Sequence, residues 1–454
     1  MAIIGVIADD LTGAMTAGSL LTKSGVDTAV LLKADYLKKG EPVCGRQAIV
    51  LNLDSRSASP ENAYQRMYEA TLKLCEIGIR QFSKRTDTTL RGDIGVEIDA
   101  MLDALGEDYI AVMVPAMPQS NRILVGGYSL INGIPLSKTS VANDVKTPVR
   151  ESFVPRLLAA QTRRKIGSIG LGELLSGKEC LRASMRKKRE AGVEILLIDA
   201  TSVDDIEMIA ETIIEMDWKT ISVDPGPFTE RMVSSRGWAE ARQTKQRRIR
   251  MQPEPDDEGT ALVVAGSATP VTTKQMNALL RVPGTKAVPV KVPPLISGKE
   301  ECDREIADAV SETVKLLKSD TAPRVLVIAF ETTLTGQLID LTGLYSLHGS
   351  GECDASDHIA RCLGRIVRET MDQAGDKVTG MYLTGGDVMA NVCGMLDAKG
   401  IDLVDYVIPQ ADQGRLVGGP FTGLSLIGKG GLTGEKNTVI QCVNRLFDER
   451  KERE

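Results

Sequence analysis

Histidine is almost missing from this 454-residue chain: His348 and His358 are the only two. That disfavours a histidine-based triad or a multi-histidine metal centre. Chemistry must then rest on carboxylates, lysines, arginines and backbone amides, with or without a bound divalent cation. A basic excess is also lacking, since 55 lysines and arginines face 61 acidic residues for a net charge of −6. Nucleic acid and an anionic membrane are therefore poor candidates for the main partner. A small anionic substrate remains open, because it needs only a local cluster of arginines. The eight cysteines form no CxxC pair and no Cys/His spacing suited to zinc, so they read as reduced thiols of a cytoplasmic protein. No apolar run approaches the ~20 residues of a membrane helix, and the chain enters a strand pattern at once, without a signal-peptide pattern.

What is present is ordinary for a globular protein: 42% hydrophobic and 26% charged residues. The length exceeds what one core supports and predicts two domains. Apolar strand-like runs alternate with helical patterns throughout. They fall at Thr28–Leu32, Ala48–Leu53, Tyr109–Val114, Glu194–Ile198 and Thr220–Val223, then at Ala261–Ala265, Val325–Phe330, Gly380–Leu383, Leu403–Ile408 and Leu424–Ile427. This alternation predicts an α/β protein whose two domains each carry a mainly parallel sheet flanked by helices. In Ser57–Leu74, Ser59 reads as an N-cap and Pro60 as the first helical residue, with Met67, Leu72 and Leu74 on the buried face. Between Trp238 and Gly259 a basic run, ARQTKQRRIR, gives way to MQPEPDDEG. Such a charge switch with proline and glycine predicts a connector over 241–259, between domains 1–240 and 260–454.

The most informative stretch is IIGVIADDLTGAMTAG, residues 3–18. An apolar strand runs into Asp9 and Asp10 and then into a helix, which sets two carboxylates at the carboxyl end of a strand, where open α/β sheets bind ligands. Helix capping by one aspartate is the plainer alternative. KRTDTTLRGDIG (84–95) gathers Lys84, Arg85 and Arg91 around Asp87, with small residues that admit a ligand to the backbone; a surface salt-bridge loop is the other reading. NLDSRS (52–57) ends a further strand with Asp54 and Arg56, and the segment 114–139 brings Arg122 and a Gly-Gly turn as a cleft wall or a tight β excursion.

In the second half, VVAGSATPVTTKQ (263–275) and MYLTGGDVMANV (381–392) each run from strand through a small-residue turn into a helix. Free amides and the helix dipole at such turns suit a phosphate. GLSLIGKGG (423–431) matches GxxxxGK on paper but is not a P-loop: LSLI is a strand, and Gly430 stands where a hydroxyl residue belongs. Its glycine-rich end, 428–434, could still lie against a nucleotide with Lys429 near phosphate, or serve as a connector.

In their order and spacing, ADDLTGA, KRTDTTLRG, VPAMP…R, GSATPVT…Q, LTGGD and GKGGLTG resemble the four-carbon acid sugar kinase family from Gly5 to about Asn437. The resemblance implies an ATP- and Mg²⁺-dependent kinase of threonate, erythronate or 3-oxo-tetronates, acting on the terminal hydroxyl. It also implies that the N-terminal domain holds the sugar acid, the C-terminal domain the nucleotide, and the cleft between them the transfer. Carried across, substrate contacts fall at Asp10, Arg56, Lys84, Arg85, Thr86 and Asp87, with Arg91 close by. Asp10 is preferred over Asp9 as the catalytic carboxylate. Nucleotide contacts fall at Ser267, at Gly385, Gly386, Asp387 and Val388, and at Gly428, Lys429, Gly430 and Gly431; the metal ligands are not specified. Thr16, Asp93 and Val388 depart from the family pattern and bear on the identity of the substrate. Two rivals remain: a non-catalytic sugar-acid or nucleotide sensor derived from such a kinase, and an aspartate-based phosphatase, which the adjacency of Asp9 and Asp10 opposes. A homodimer is compatible with the sequence.

Overall fold

The computed structural model describes residues 3–38, 45–144, 146–239, 259–339 and 355–453. The chain divides into two compact units, 1–244 and 245–454. The expected connector lies outside the described residues apart from Gly259.

The first unit is wound on strands β1 (Ile4–Ala8), β2 (Thr28–Leu31), β3 (Ala48–Asn52), β4 (Gln81–Arg85), β5 (Ile110–Met113), β9 (Ile166–Ile169), β10 (Ile195–Ile198) and β11 (Thr220–Asp224). They lie in the order β2-β3-β1-β4-β11-β5-β10-β9, and every neighbouring pair is parallel. β1, β3 and β4 are buried along their whole length, as parallel strands covered on both faces must be. Chain direction across the sheet reverses at β1, because β3 pairs on one side of it and β4 on the other. Such a switch point opens a crevice at the carboxyl ends of the strands. The segment after β5 leaves the sheet as an antiparallel ribbon of β6 (Arg122–Val125), β7 (Tyr128–Ile131) and β8 (Ile134–Pro135). Asp199, just past β10, anchors the ribbon by accepting hydrogen bonds from the amides of Gly126 and Gly127. The excursion therefore sits at the carboxyl edge.

The helix Pro60–Glu76 begins as expected, with the Ser59 hydroxyl accepting from the Asn62 amide and Pro60 in the first turn. Its buried face holds Met67 and Leu74, but Leu72 is 37% exposed and its place is taken by Ala63, Ala70 and Thr71. Rows three and four residues apart line one helix face, and Leu72 falls off the row that Met67 and Leu74 define.

The second unit has β12 (Thr260–Ala265), β13 (Thr285–Val290), β14 (Val325–Phe330), β15 (Val378–Thr384), β16 (Gly400–Ile408), β17 (Ala411–Val417) and β18 (Ser425–Lys429). The order is β13-β14-β12-β15-β18-β17-β16, parallel as far as β18 and antiparallel at β17 and β16. Its core packs the C-terminal helix residues Val439, Val443, Leu446 and Phe447 against the faces of β12, β14 and β15. No described helix is long and apolar enough to cross a membrane.

Candidate active site

At the carboxyl edge of the first unit, β1 delivers Asp9 and Asp10, the turn after β3 delivers Arg56, and β4 ends at Arg85. The Arg56 guanidinium spans both carboxylates: Nε and Nη2 donate to Asp9 at 2.8 and 3.1 Å, and Nη1 to Asp10 Oδ2 at 2.7 Å. Arg85 Nη1 donates to Asp10 Oδ1 at 3.2 Å and stands 3.7 Å from Asp9. The amide of Gly13 donates to the same Asp10 oxygen at 2.8 Å, so Asp10 caps the helix Leu11–Lys23 and also faces the two arginines. Asp10 therefore caps the helix and also stands at the carboxyl edge among the arginines. A Cβ on Gly13 would lie 1.9 Å from Arg85 Nη1, so only glycine lets Arg85 reach Asp10.

Neighbouring residues divide their labour by burial. Asp9 is 1% exposed and fully engaged by Arg56, whereas Asp10 keeps 19% of its side chain open. Burial works to raise the Asp9 pKa, but Arg56, Lys84 and Arg85 outweigh it and hold the group below the ordinary carboxylate range. Asp87 behaves likewise and more strongly: against the cost of burial, Arg91, Arg56 and Arg85 keep it well below its usual value. Arg91 donates to Asp87 at 2.7 Å and to Asp144 at 3.2 Å; Thr89 also donates to Asp87. The turn that presents this set bends through left-handed Leu90 and Gly92.

Two expected contacts lie beneath the edge rather than on it. The Lys84 side chain is fully enclosed; its ammonium meets Glu97 at 2.6 Å, and Glu97 in turn accepts from Ser55. Thr86 is buried, and its amide donates to the carbonyl of Asp224. In this structure both side chains are enclosed and support the edge from beneath. Glu97, Asp144 and Arg122 were missing from the expected site. Arg122 gives a single side-chain hydrogen bond, to the carbonyl of Ser120. Burial lowers its pKa, opposed by Asp87 and reinforced by Arg85. Among the described residues it is the guanidinium at this edge with no carboxylate within ion-pair distance, and its Nε is buried without a partner.

The carboxyl edge of the second unit is built differently. β12, β15 and β18 are neighbours, and each ends in a small-residue turn. The turn after β18 rests on the helix Pro270–Leu279: Thr269 and Thr272 donate to the carbonyl of Gly431 at 2.6 and 3.0 Å, and Gln275 to those of Thr433 and Glu435. A Cβ on Gly431 would fall 2.2 Å from the Ser267 hydroxyl oxygen. Gly385, at φ 106°, opens the helix Gly386–Met395 without a side-chain cap, which leaves first-turn amides for an anion. Asp387 lies in that first turn. Val388 turns away from the edge into the core, where its methyl fills the space a Cβ on Gly266 would need. Gly428 is a buried residue of β18, and Gly430 follows the strand. Lys429 is buried and donates to the carbonyls of Gly430 and Thr433 at 2.6 and 3.0 Å, with burial pulling its pKa down to about 8. Its ammonium holds the glycine turn in shape from below.

The chain matches two family models: a sugar-binding N-terminal domain over residues 4–232 and a nucleotide-binding C-terminal domain over 262–439. It is 36% identical over 449 residues to a D-erythronate kinase of Heliobacterium modesticaldum, covering 98% of each chain. It is 28% identical over 442 residues to a D-threonate kinase of Salmonella typhimurium, covering 96% of this chain and 97% of that one. A solved Haemophilus influenzae protein shares the fold with a TM-score of 0.70 at 21% identity, over 98% of this chain and 100% of that one. With both of its halves matched and similarity running along almost its whole length, the chain belongs to the four-carbon acid sugar kinase family, a group of phosphotransferases.

Proposed function

We propose that this protein uses ATP to phosphorylate the terminal hydroxyl of a four-carbon sugar acid, which the first unit binds while the second binds the nucleotide. The observation that carries this reading is Asp10, a carboxylate held by two guanidiniums at a sheet switch point and still open on one side. Asp10 orients the attacking hydroxyl and accepts its proton. The demand on the base is small, because phosphoryl transfer is loose and depends chiefly on positioning and charge. Asp9 acts through Arg56 as a positioning residue. The sugar acid's carboxylate needs a guanidinium not already neutralised, and Arg122 supplies it better than Arg56, Arg85 or Arg91, each of which faces a protein carboxylate.

The amides and hydroxyls around Ser267, Gly385, Gly386, Gly430 and Gly431 suit phosphate oxygens, and Asp387 offers the oxygen ligand that magnesium favours. When bound, Mg·ATP supplies the phosphoryl group and neutralises its charge. The 36% identity to a D-erythronate kinase, against 28% to a D-threonate kinase, is why D-erythronate heads the list of substrates. The test is ADP release from Mg·ATP against D- and L-erythronate, D- and L-threonate and their 3-oxo forms. Turnover with one acid well above the ATP-only background is expected. Silence across the panel, in folded protein that binds ATP, would overturn the kinase reading in favour of a sensor.

A further inference from the structure

Outside the groups described above, the second unit draws two thiols and an imidazole together. Cys302 sits in the first turn of the helix Lys299–Leu317, while His358 and Cys362 lie one turn apart on the helix Ala355–Ala374. Cys302 Sγ is 3.6 Å from Cys362 Sγ, and Cys362 Sγ is 3.6 Å from His358 Nε2. All three atoms fall within 4.8 Å of one another. His358 Nε2 is also 2.9 Å from the carbonyl oxygen of Leu295, on a third helix, Val292–Ser297. Both cysteines are buried and the histidine is partly so.

Zinc binds thiolate at about 2.3 Å and imidazole at about 2.0–2.1 Å in a tetrahedron, which sets ligand-to-ligand edges of roughly 3.4–3.8 Å. The Cys302–Cys362 sulfur–sulfur separation and the Cys362–His358 sulfur–nitrogen separation, both 3.6 Å, fall on those edges, and the Cys302–His358 pair closes the set within 4.8 Å. Buried cysteines as such are ordinary packing; Cys393 and Cys442 are buried in the same unit without joining the cluster. What sets Cys302 and Cys362 apart is the imidazole nitrogen directed at them from one turn away. The three ligands come from positions 302, 358 and 362, so no compact sequence motif announces them.

We propose that Cys302, His358 and Cys362 form a binding site for one thiophilic divalent cation, zinc by its ligand chemistry, with the Leu295 carbonyl or a water in the fourth position. Binding releases the two thiol protons, and the imidazole proton moves from Nε2 to Nδ1, so that two thiolates and a neutral nitrogen face the ion. The ion ties the helices Lys299–Leu317 and Ala355–Ala374 together, and Val292–Ser297 to them where the Leu295 carbonyl takes the fourth position. The helix Ala355–Ala374 packs on Gly386–Met395, the helix that the Gly385 turn opens: a Cβ on Gly364 would lie 3.1 Å from the carbonyl of Asn391, and Arg368 donates to the carbonyl of Met395 at 2.9 Å. The role is structural, within this helix layer, and it does not depend on the kinase reading.

Cobalt(II) titration of the reduced, chelator-treated full-length protein tests it. One equivalent of cobalt is expected to give the visible bands of a tetrahedral ion and a sulfur-to-cobalt charge-transfer band, both bleached by zinc. Cys302→Ser and Cys362→Ser should each lose most of the charge-transfer intensity, and exposed Cys75→Ser should keep it. Zinc should raise the melting temperature of the wild type and leave that of Cys302→Ser unchanged. Should a serine variant fail to fold, His358→Gln must still weaken cobalt binding at least tenfold. The proposal is overturned if reduced protein shows no stoichiometric cobalt spectrum, or if the spectrum survives these substitutions. It is equally overturned if the thiols bind no metal and only join as a Cys302–Cys362 disulfide on mild oxidation.

Discussion

The two units begin with the same winding and use it in opposite ways. β1 to β4 lie in the order β2-β3-β1-β4, and β12 to β15 repeat it as β13-β14-β12-β15. Each first strand thus ends at a switch point. At the first unit's edge the chain uses side-chain charge: Arg56, Arg85 and Arg91 interlock with the carboxylates of Asp9, Asp10, Asp87 and Asp144, and Arg122 stands beside them without a carboxylate partner among the described residues. At the second unit's edge it offers backbone, with glycines where a Cβ would collide and hydroxyls that pin the turn. A small acid with several hydroxyls is told from its isomers by directed charges and hydrogen bonds. A phosphate chain is held by amides that must come close. On the proposed function, the same topology therefore yields a selective site and a generic one.

If that division is right, substitutions at the two edges should separate in the kinetics. Asp10→Asn should do the most, lowering kcat by about 10²–10⁴-fold while KM for ATP stays within about twofold. Near-full turnover would remove Asp10 from the chemistry. Arg122→Ala comes next: loss of a charge-assisted hydrogen bond costs about 1.5–3 kcal/mol, or about 10- to 100-fold in KM for the sugar acid. The neutral amide of the same acid should lose little, because it presents no charge for Arg122 to meet. Equal losses for acid and amide would return carboxylate recognition to Arg56, Arg85 and Arg91.

Gly431→Ala is the mirror experiment on the second edge. The methyl meets the Ser267 hydroxyl and pushes the turn outward. KM for ATP should rise about tenfold, equivalent to about 1.4 kcal/mol, with KM for the acid unchanged. A rise in both would mean that the two edges do not act separately.

Acid tests the charged first edge through Asp87. Asp87 titrates well below its ordinary value of 3.8 in the folded chain. Its stabilising contribution is therefore complete above that value and is lost as pH falls through the lower folded one. The first unit should lose stability steeply below about pH 4, and Asp87→Asn, less stable at neutral pH, should show a shallower loss as followed by circular dichroism.

The architecture was legible because most of the parallel strands are apolar runs followed by a helical period. β4 escaped that logic. QFSKR reads as polar, yet it is a fully buried central strand, because Lys84 finds Glu97, Ser83 finds Thr229 and Arg85 finds Asp10. Only the fold brings those partners near, from positions 97, 229 and 10. The same reason hid Glu97 as the partner of Lys84, and left Arg122 undecided until Asp199 fixed its ribbon at the edge. β17, ADQGRLV, also escaped: Gln413 and Arg415 are served there by Glu449 of the last helix. Spacing revealed which residues stand at strand ends. It could not reveal which charges were already neutralised, and that distinction separates Arg122 from Arg56.

Asp93 gives the smallest effect and the finest probe of the charged edge. It precedes the helix Ile94–Leu105 without capping it through its side chain, and burial together with Glu61 raises its pKa. Gly92, its neighbour, lies against the Arg56 backbone. A negative charge there opposes an incoming carboxylate through partly screened solvent, where such terms are about 1 kcal/mol or less. Asparagine starts a helix as well as aspartate does, so Asp93→Asn should leave the melting temperature unchanged and lower KM for the sugar acid by about two- to threefold, an effect that shrinks as salt is added. An unchanged KM at low salt would mean that Asp93 lies outside the field the substrate carboxylate feels, and that the selectivity of the first edge belongs to the interlocked charges alone.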